Sequence, residues 1–164
     1  MRFAARYDYP VPPARVAALL ADRAHLLKAA EAAGAESSQV DVSPKPDDGL
    51  LVTVRSTIPT ADLPAALRGF LPQGLELRQA VVWEAPAADG SRRATMAGEV
   101  PGAGVNLAGS VRLSPTAAGC RLQFAGDVKA QLPLLGRAVE DAAVPAIVKI
   151  LDAQHQVTLD RLDG

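Results

Sequence analysis

Arg2, Ala4, Arg6 and Asp8 alternate with Phe3, Ala5, Tyr7 and Tyr9, and a period of two marks a half-buried strand. Pro10, Pro12 and Pro13 end it. The period then lengthens. Val16, Leu19 and Leu20 predict a helix over residues 14–21, and Leu26, Leu27 and Ala30 a second over about 22–33, with Gly34 as its C-cap. Residues 38–42 alternate weakly and predict a short strand. PKPDDG at 44–49 is a turn by composition. Residues 50–58 form a stronger strand, with Val52 and Val54 opposite Thr53, Arg55 and Thr57. Between Pro59 and Pro72, Thr60 or Asp62 caps a short helix carrying Leu63, Leu67 and Phe70.

Four strand-like runs follow. Leu75, Leu77, Gln79, Val81 and Trp83 share a face; so do Ala94, Met96, Gly98 and Val100; so do Leu107, Gly109, Val111 and Leu113; so do Leu122, Phe124, Gly126 and Val128. AADG at 87–90, PGAG at 101–104 and PTAAG at 115–119 are the turns between them. Such short links predict antiparallel hairpins with one wet and one dry face. From residue 131 onward one long amphipathic helix is expected. Leu135, Val139, Ala142, Ala146, Ile150, Ala153 and Val157 form its stripe, and Leu134, Ala143, Ile147 and Leu151 widen it. Pro133 suits its first turn, and Pro145 predicts a kink. The order is β-α-α-β-β-(short α)-β-β-β-β-α. One long helix is available to cover the dry face, so the expected fold is α+β, a curved seven-stranded antiparallel sheet wrapped around the C-terminal helix.

The length of 164 residues suits a single domain over 1–164. Hydrophobic residues make up 49% and charged residues 21%, a globular balance, while aromatics at 4% leave an interior of small aliphatic side chains. A net charge of -1 provides no global attraction to nucleic acid or anionic lipid. One cysteine, Cys120, excludes an internal disulfide and a thiolate metal cluster. The opening MRFAARYDYP lacks a signal-peptide core, and no run reaches the ~18 apolar residues of a membrane span. The expectation is a cytoplasmic protein with no stable membrane insertion, no nucleic-acid partner, no metal and no cofactor.

VKAQLPLLGRAVEDAA at 128–143 runs a last strand through a Pro-Leu-Leu-Gly link into an acidic helix start. Together with ADLPAALRGFLPQG at 61–74, it resembles an uncharacterised bacterial family of the START-related, polyketide cyclase-like (SRPBCC) superfamily, whose fold is the helix-grip. The resemblance covers nearly the whole chain and carries no catalytic residues. It implies a hydrophobic cavity between sheet and long helix, with its mouth near 59–72, 101–106 and the kinked helix. The inward Gly98, Gly109, Gly126, Ala5 and Ala94 fit such a cavity; glycines that let the sheet bend are the other reading.

The expected lining is Val54, Leu67, Phe70, Leu77, Gln79, Val81, Met96, Leu107, Val111, Phe124, Ile147 and Leu151. Filling it with Gly109→Phe is expected to weaken binding. Gln79 interrupts an apolar face, and Ser56, Tyr7 and Tyr9 are further polar candidates, with a structural hydrogen bond or a core ring as the plainer role. His25 is expected on an exposed helix face and His155 at a helix edge, without metal-ligand spacing. Cys120 reads as an inert buried thiol. Asp47 and Asp48 make a turn, and Glu140 and Asp141 favour a helix N-terminal half. Arg92, Arg93, Arg112, Arg121 and Lys129 read as a solvated face. The leading function is binding or transport of a small hydrophobic, lipid- or polyketide-like molecule. A cyclase or aromatase using the same cavity and an interaction module with a packed interior are the alternatives.

Overall fold

The computed structural model describes residues 1–63, 65–69 and 71–163, without the side chains of Ala66 and Leu67. The elements in order are β1 (Arg2–Tyr9), α1 (Pro13–Leu20), α2 (Arg23–Ala32), β2 (Ser37–Pro44), β3 (Leu50–Ile58), a 3-10 turn (Thr60–Asp62), α3 (Ala65–Arg68), β4 (Leu75–Trp83), β5 (Arg92–Val100), β6 (Val105–Thr116), β7 (Gly119–Ala130) and α4 (Gly136–Asp163). The strands form one antiparallel sheet in the order β1-β7-β6-β5-β4-β3-β2. Consecutive strands pair through β2 to β7. β1 departs from that run and closes beside the last strand, with Phe3 opposite Gly126 and Tyr7 opposite Leu122. β1 and β2 are therefore the two edges, and α1 and α2 connect them. Pro13 starts α1 at a position where its missing N–H is harmless. The Asp22 carboxylate caps α2 by accepting from the His25 backbone N–H at 3.2 Å.

α4 lies on the dry face and closes two apolar clusters. Val139 and Ala143 seal the first against Phe3, Leu75, Val100, Val105 and Val128. Leu151, Leu159 and Leu162 cover the second, built on Tyr7, Tyr9, Val16, Val52, Trp83, Leu113 and Leu122. Each fully buried aliphatic side chain there contributes roughly 1.5–3 kcal/mol of hydrophobic free energy.

Three expectations change. α4 starts at Gly136, not at residue 131. Leu134 takes φ 66°, a left-handed conformation costly for leucine. It stands fully in solvent, and Leu135 is 44% exposed; both leave the stripe. The Gly136 N–H bonds the Leu132 carbonyl at 2.9 Å, and a Cβ on Gly136 would fall 2.6 Å from the Ala130 carbonyl oxygen. A tight turn thus precedes the helix, and Pro133 lies in it. The inward seam of α4 runs through Val139, Ala143, Ile147 and Leu151, which were expected mostly at its margin. Steps of four drift about 40° around the axis, so this seam winds with the twisted sheet. Helical backbone continues on both sides of Pro145, the position of the expected kink, and its ring faces solvent.

The expected turns at 44–49 and 115–119 also shorten. Pro44 ends the edge strand β2, and Pro115 pairs with Cys120 beyond the last residue of β6 that β5 reaches. A missing N–H leaves no broken ladder at either place. The short helix after β3 is a 3-10 turn followed by one helical turn.

Candidate functional site

The inward face of β3 and β4 carries Val52, Val54, Ser56 and Ile58 opposite Leu77, Gln79, Val81 and Trp83. Strict alternation puts these side chains on one side of the sheet. α2 lies over them and presents small residues, Ala29 and Ala30, continued by Ala33 and Ala35. Short side chains on the helix facing medium-sized ones on the sheet leave a gap. It is a cavity of about 110 Å³. Leu20 and Leu26 close one side, Val111 and Phe124 its floor, and Ile150, Gln154 and Thr158 of α4 its far wall.

His25 completes the wall. It is 1% exposed, which overturns the expected exposed position. Its Nε2 lies 3.1 Å from the Thr158 hydroxyl, bridging α2 to α4. The Thr158 hydroxyl donates to the Gln154 carbonyl at 2.9 Å. Burial, with Arg161 nearby, holds the ring's pKa below the usual histidine value. The polar side chains around the cavity are His25, Ser56, Gln79, Gln154 and Thr158. Ser56 pairs with the Ser38 hydroxyl at 3.0 Å.

Of the expected lining, Val54, Leu77, Gln79, Val81, Val111 and Phe124 surround this cavity. Met96, Leu107, Ile147 and Leu151 pack into the two apolar clusters and do not line the cavity. Phe70 and the Leu67 side chain lie outside the described residues. The α2 wall went unforeseen. Its signal was the run of alanines, which period alone does not separate from an ordinary packed helix. The inward glycines open no space. A Cβ on Gly126 would fall 2.8 Å from the Phe3 ring, one on Gly109 would meet the Ala125 carbonyl oxygen and Met96, and one on Gly98 would fall 3.2 Å from Leu107. Gly109→Phe is therefore not a cavity-filling change, because Gly109 does not reach the cavity.

His155 is also corrected. Its ring stacks on Tyr7 at 4.6 Å and meets Tyr9 edge-on at 4.9 Å. Tyr7 donates to Asp152 at 2.7 Å. Burial raises both tyrosine hydroxyls far above their ordinary pKa, reinforced at Tyr7 by Asp152. This aromatic stack stitches β1 to α4 and leaves the cavity untouched. Cys120 is fully buried, and burial, then the Asp8 charge, pushes its thiol up to about 11. Arg121 is held by Asp8 at 2.7 Å, and Arg78 bridges Glu76 and Glu99 across the outer face. Among the described residues no cluster of three His, Cys, Asp or Glu is placed to hold a metal ion, and no helix is long and apolar enough to cross a membrane.

A seven-stranded antiparallel sheet packed against one long C-terminal helix is an α+β fold of the helix-grip kind. Solved structures agree across the whole chain. A Thermus thermophilus protein matches with TM-score 0.63 at 16% identity over 98% of this chain and 99% of its own. The Zhui aromatase/cyclase of Streptomyces sp. R1128 matches with TM-score 0.62 at 14% identity over 99% and 95%. A START superfamily protein of Mycobacterium smegmatis matches with TM-score 0.58 at 13% identity over 98% and 98%. At these identities the likeness is one of fold. Residues 4–162 match the family described as protein of unknown function (DUF2505), and the chain belongs to that family. No curated protein matches it in sequence.

Proposed function

We propose that the protein binds a small hydrophobic molecule in the cavity between α2, β3–β4 and α4. The observation that carries this reading is the cavity itself, apolar over most of its wall with a few polar groups at fixed places. Its volume is near that of engineered apolar cavities of about 150 Å³ that accept benzene. The occupant is accordingly a compact molecule or one end of a longer lipid- or polyketide-like chain. Val54, Leu77, Val81, Val111 and Phe124 supply apolar contact, and Gln79 a polar one. A cytoplasmic site of action belongs to the same proposal, supported by a lone cysteine kept as a thiol.

Native mass spectrometry on the purified protein and on Ala30→Leu tests it. Ala30 is 7% exposed and lines the cavity, so leucine there fills it. A non-covalent adduct, native or from added toluene, on the parent and not on a folded Ala30→Leu is the expected result. Adducts of equal occupancy on both would move the site elsewhere.

A second reading is an aromatase/cyclase-type enzyme using the same cavity. The buried imidazole of His25 in its wall favours it, because such chemistry needs an inward group able to move a proton. Turnover of a poly-β-keto thioester that His25→Phe abolishes is its test.

A further inference from the structure

The two edges of the sheet are finished differently. At β2, Arg23 of α2 donates to the Val40 carbonyl at 3.0 Å, and Pro44 has no N–H to offer. Such devices keep an edge from taking another strand. At β1, the Met1 ammonium donates to the Val128 carbonyl at 2.7 Å, and the Val128 N–H donates back to the Met1 carbonyl at 2.8 Å. Bonded and non-bonded pairs alternate along an antiparallel ladder. In the register of β1 on β7, the N–H and C=O groups of Phe3, Ala5, Tyr7 and Tyr9 therefore turn toward β7. Those of Arg2, Ala4, Arg6 and Asp8 turn away from the sheet. All four residues are exposed. Among the described residues no other segment or side chain bonds these outward backbone groups.

The sequence of this open edge is complementary to itself. A second β1 laid antiparallel beside the first, about a two-fold axis at Ala5, sets Arg2 against Asp8 of the second copy and Ala4 against Arg6. Both members of each pair turn their backbone groups outward, so each pair closes with two N–H···O bonds. Ala5 brings only a methyl group to the axis. Moving the axis to Ala4 sets Arg2 against Arg6, and moving it to Arg6 sets that residue against its own copy. Like charges directly opposite destabilise a strand pair. A shift by one residue sets outward groups against groups already bonded to β7. We infer that the protein self-associates through β1, joining two seven-stranded sheets edge to edge in an isologous dimer.

Sedimentation equilibrium of the full chain at low salt, up to about 1 mM, tests it. The mass is expected to rise from the 17.0 kDa of one chain toward twice that. Ala4→Pro removes an outward N–H that β7 does not use, a change an edge strand tolerates, and is expected to abolish the rise. Arg2→Asp and Asp8→Arg each set like charges opposite at both ends of the pair, and each is expected to weaken self-association about 10-fold. Mixed in equal amounts, these two variants restore both opposite-charge pairs and should associate as tightly as the parent. Asp8→Arg also gives up the exposed ion pair with Arg121, which adds little to the fold. A parent that stays monomeric overturns the inference and leaves the edge to a strand of another protein. A dimer that a folded Ala4→Pro retains overturns it too, as do charge variants that associate no better mixed than alone. The charge variants alter exposed side chains only, so the outcome does not depend on Ala4→Pro folding.

Discussion

His25 and His155 are aromatic rings first and bases second. Burial lowers the folded pKa of each below its ordinary 6.5, only partly opposed by nearby carboxylates. The unfolded chain therefore takes up these protons before the folded one does. Their contribution to stability is fully present above about pH 6.5 and is lost as pH falls through 6.5 toward the lower folded values. Urea midpoints are expected to drop between pH 7 and pH 5, and less so in His25→Phe. A flat profile over that window would show that the rings are not buried as described. The carboxylates with lowered pKa, such as Asp8 and Asp22, lose their share only below their ordinary 3.8, outside this window. Cys120 gives a second check. With no exposure and a thiol pushed up to about 11, it should react with an aromatic disulfide reagent at pH 8 only as fast as the protein opens, and immediately in urea. Tyr7→Phe removes one hydrogen bond to a solvent-facing carboxylate. A loss of about 1 kcal/mol in urea unfolding is expected, and no loss would mean that the Asp152 contact adds nothing beyond stacking.

Strands were the most legible elements, because Arg2–Tyr9 or Arg92–Val100 bury one face and wet the other. A period of two then marks both the element and its inward residues, which is why Val54, Leu77, Gln79 and Val81 were readable as facing inward. The start of α4 was hidden. Leu132, Leu134 and Leu135 continue an apolar spacing, while the turn is made by backbone angles at Leu134 and by the lack of a Cβ at Gly136. The α2 wall was hidden for another reason: alanine suits a packed helix and a cavity wall equally, and only the distance to the sheet separates them. The inward glycines were ambiguous in the same way. Gly126 serves close packing, since the Phe3 ring lies where its Cβ would be. Gly126→Ala should cost about 1–3 kcal/mol in urea unfolding by overpacking. A neutral result would mean that both the Phe3 ring and the β6 backbone at the Ala108 carbonyl, 2.5 Å from that Cβ, give way freely.

For the whole molecule, the cavity separates stability from binding. Ala30→Leu should leave the urea midpoint equal or higher, since it fills space, while removing ligand. A drop of several kcal/mol would show that α2 already sits at contact distance from the sheet. The strand order has its own consequence. β1 is the first strand of the chain and pairs only with the last one, β7, while Tyr7 reaches Asp152 across 145 residues. A ribosome adding about 5–20 residues per second leaves Phe3, Tyr7 and Tyr9 without their partners for on the order of ten seconds. The edge that finishes the sheet thus emerges long before the strand that shelters it. That delay makes residues 2–9 the natural stretch for a chaperone to hold during synthesis.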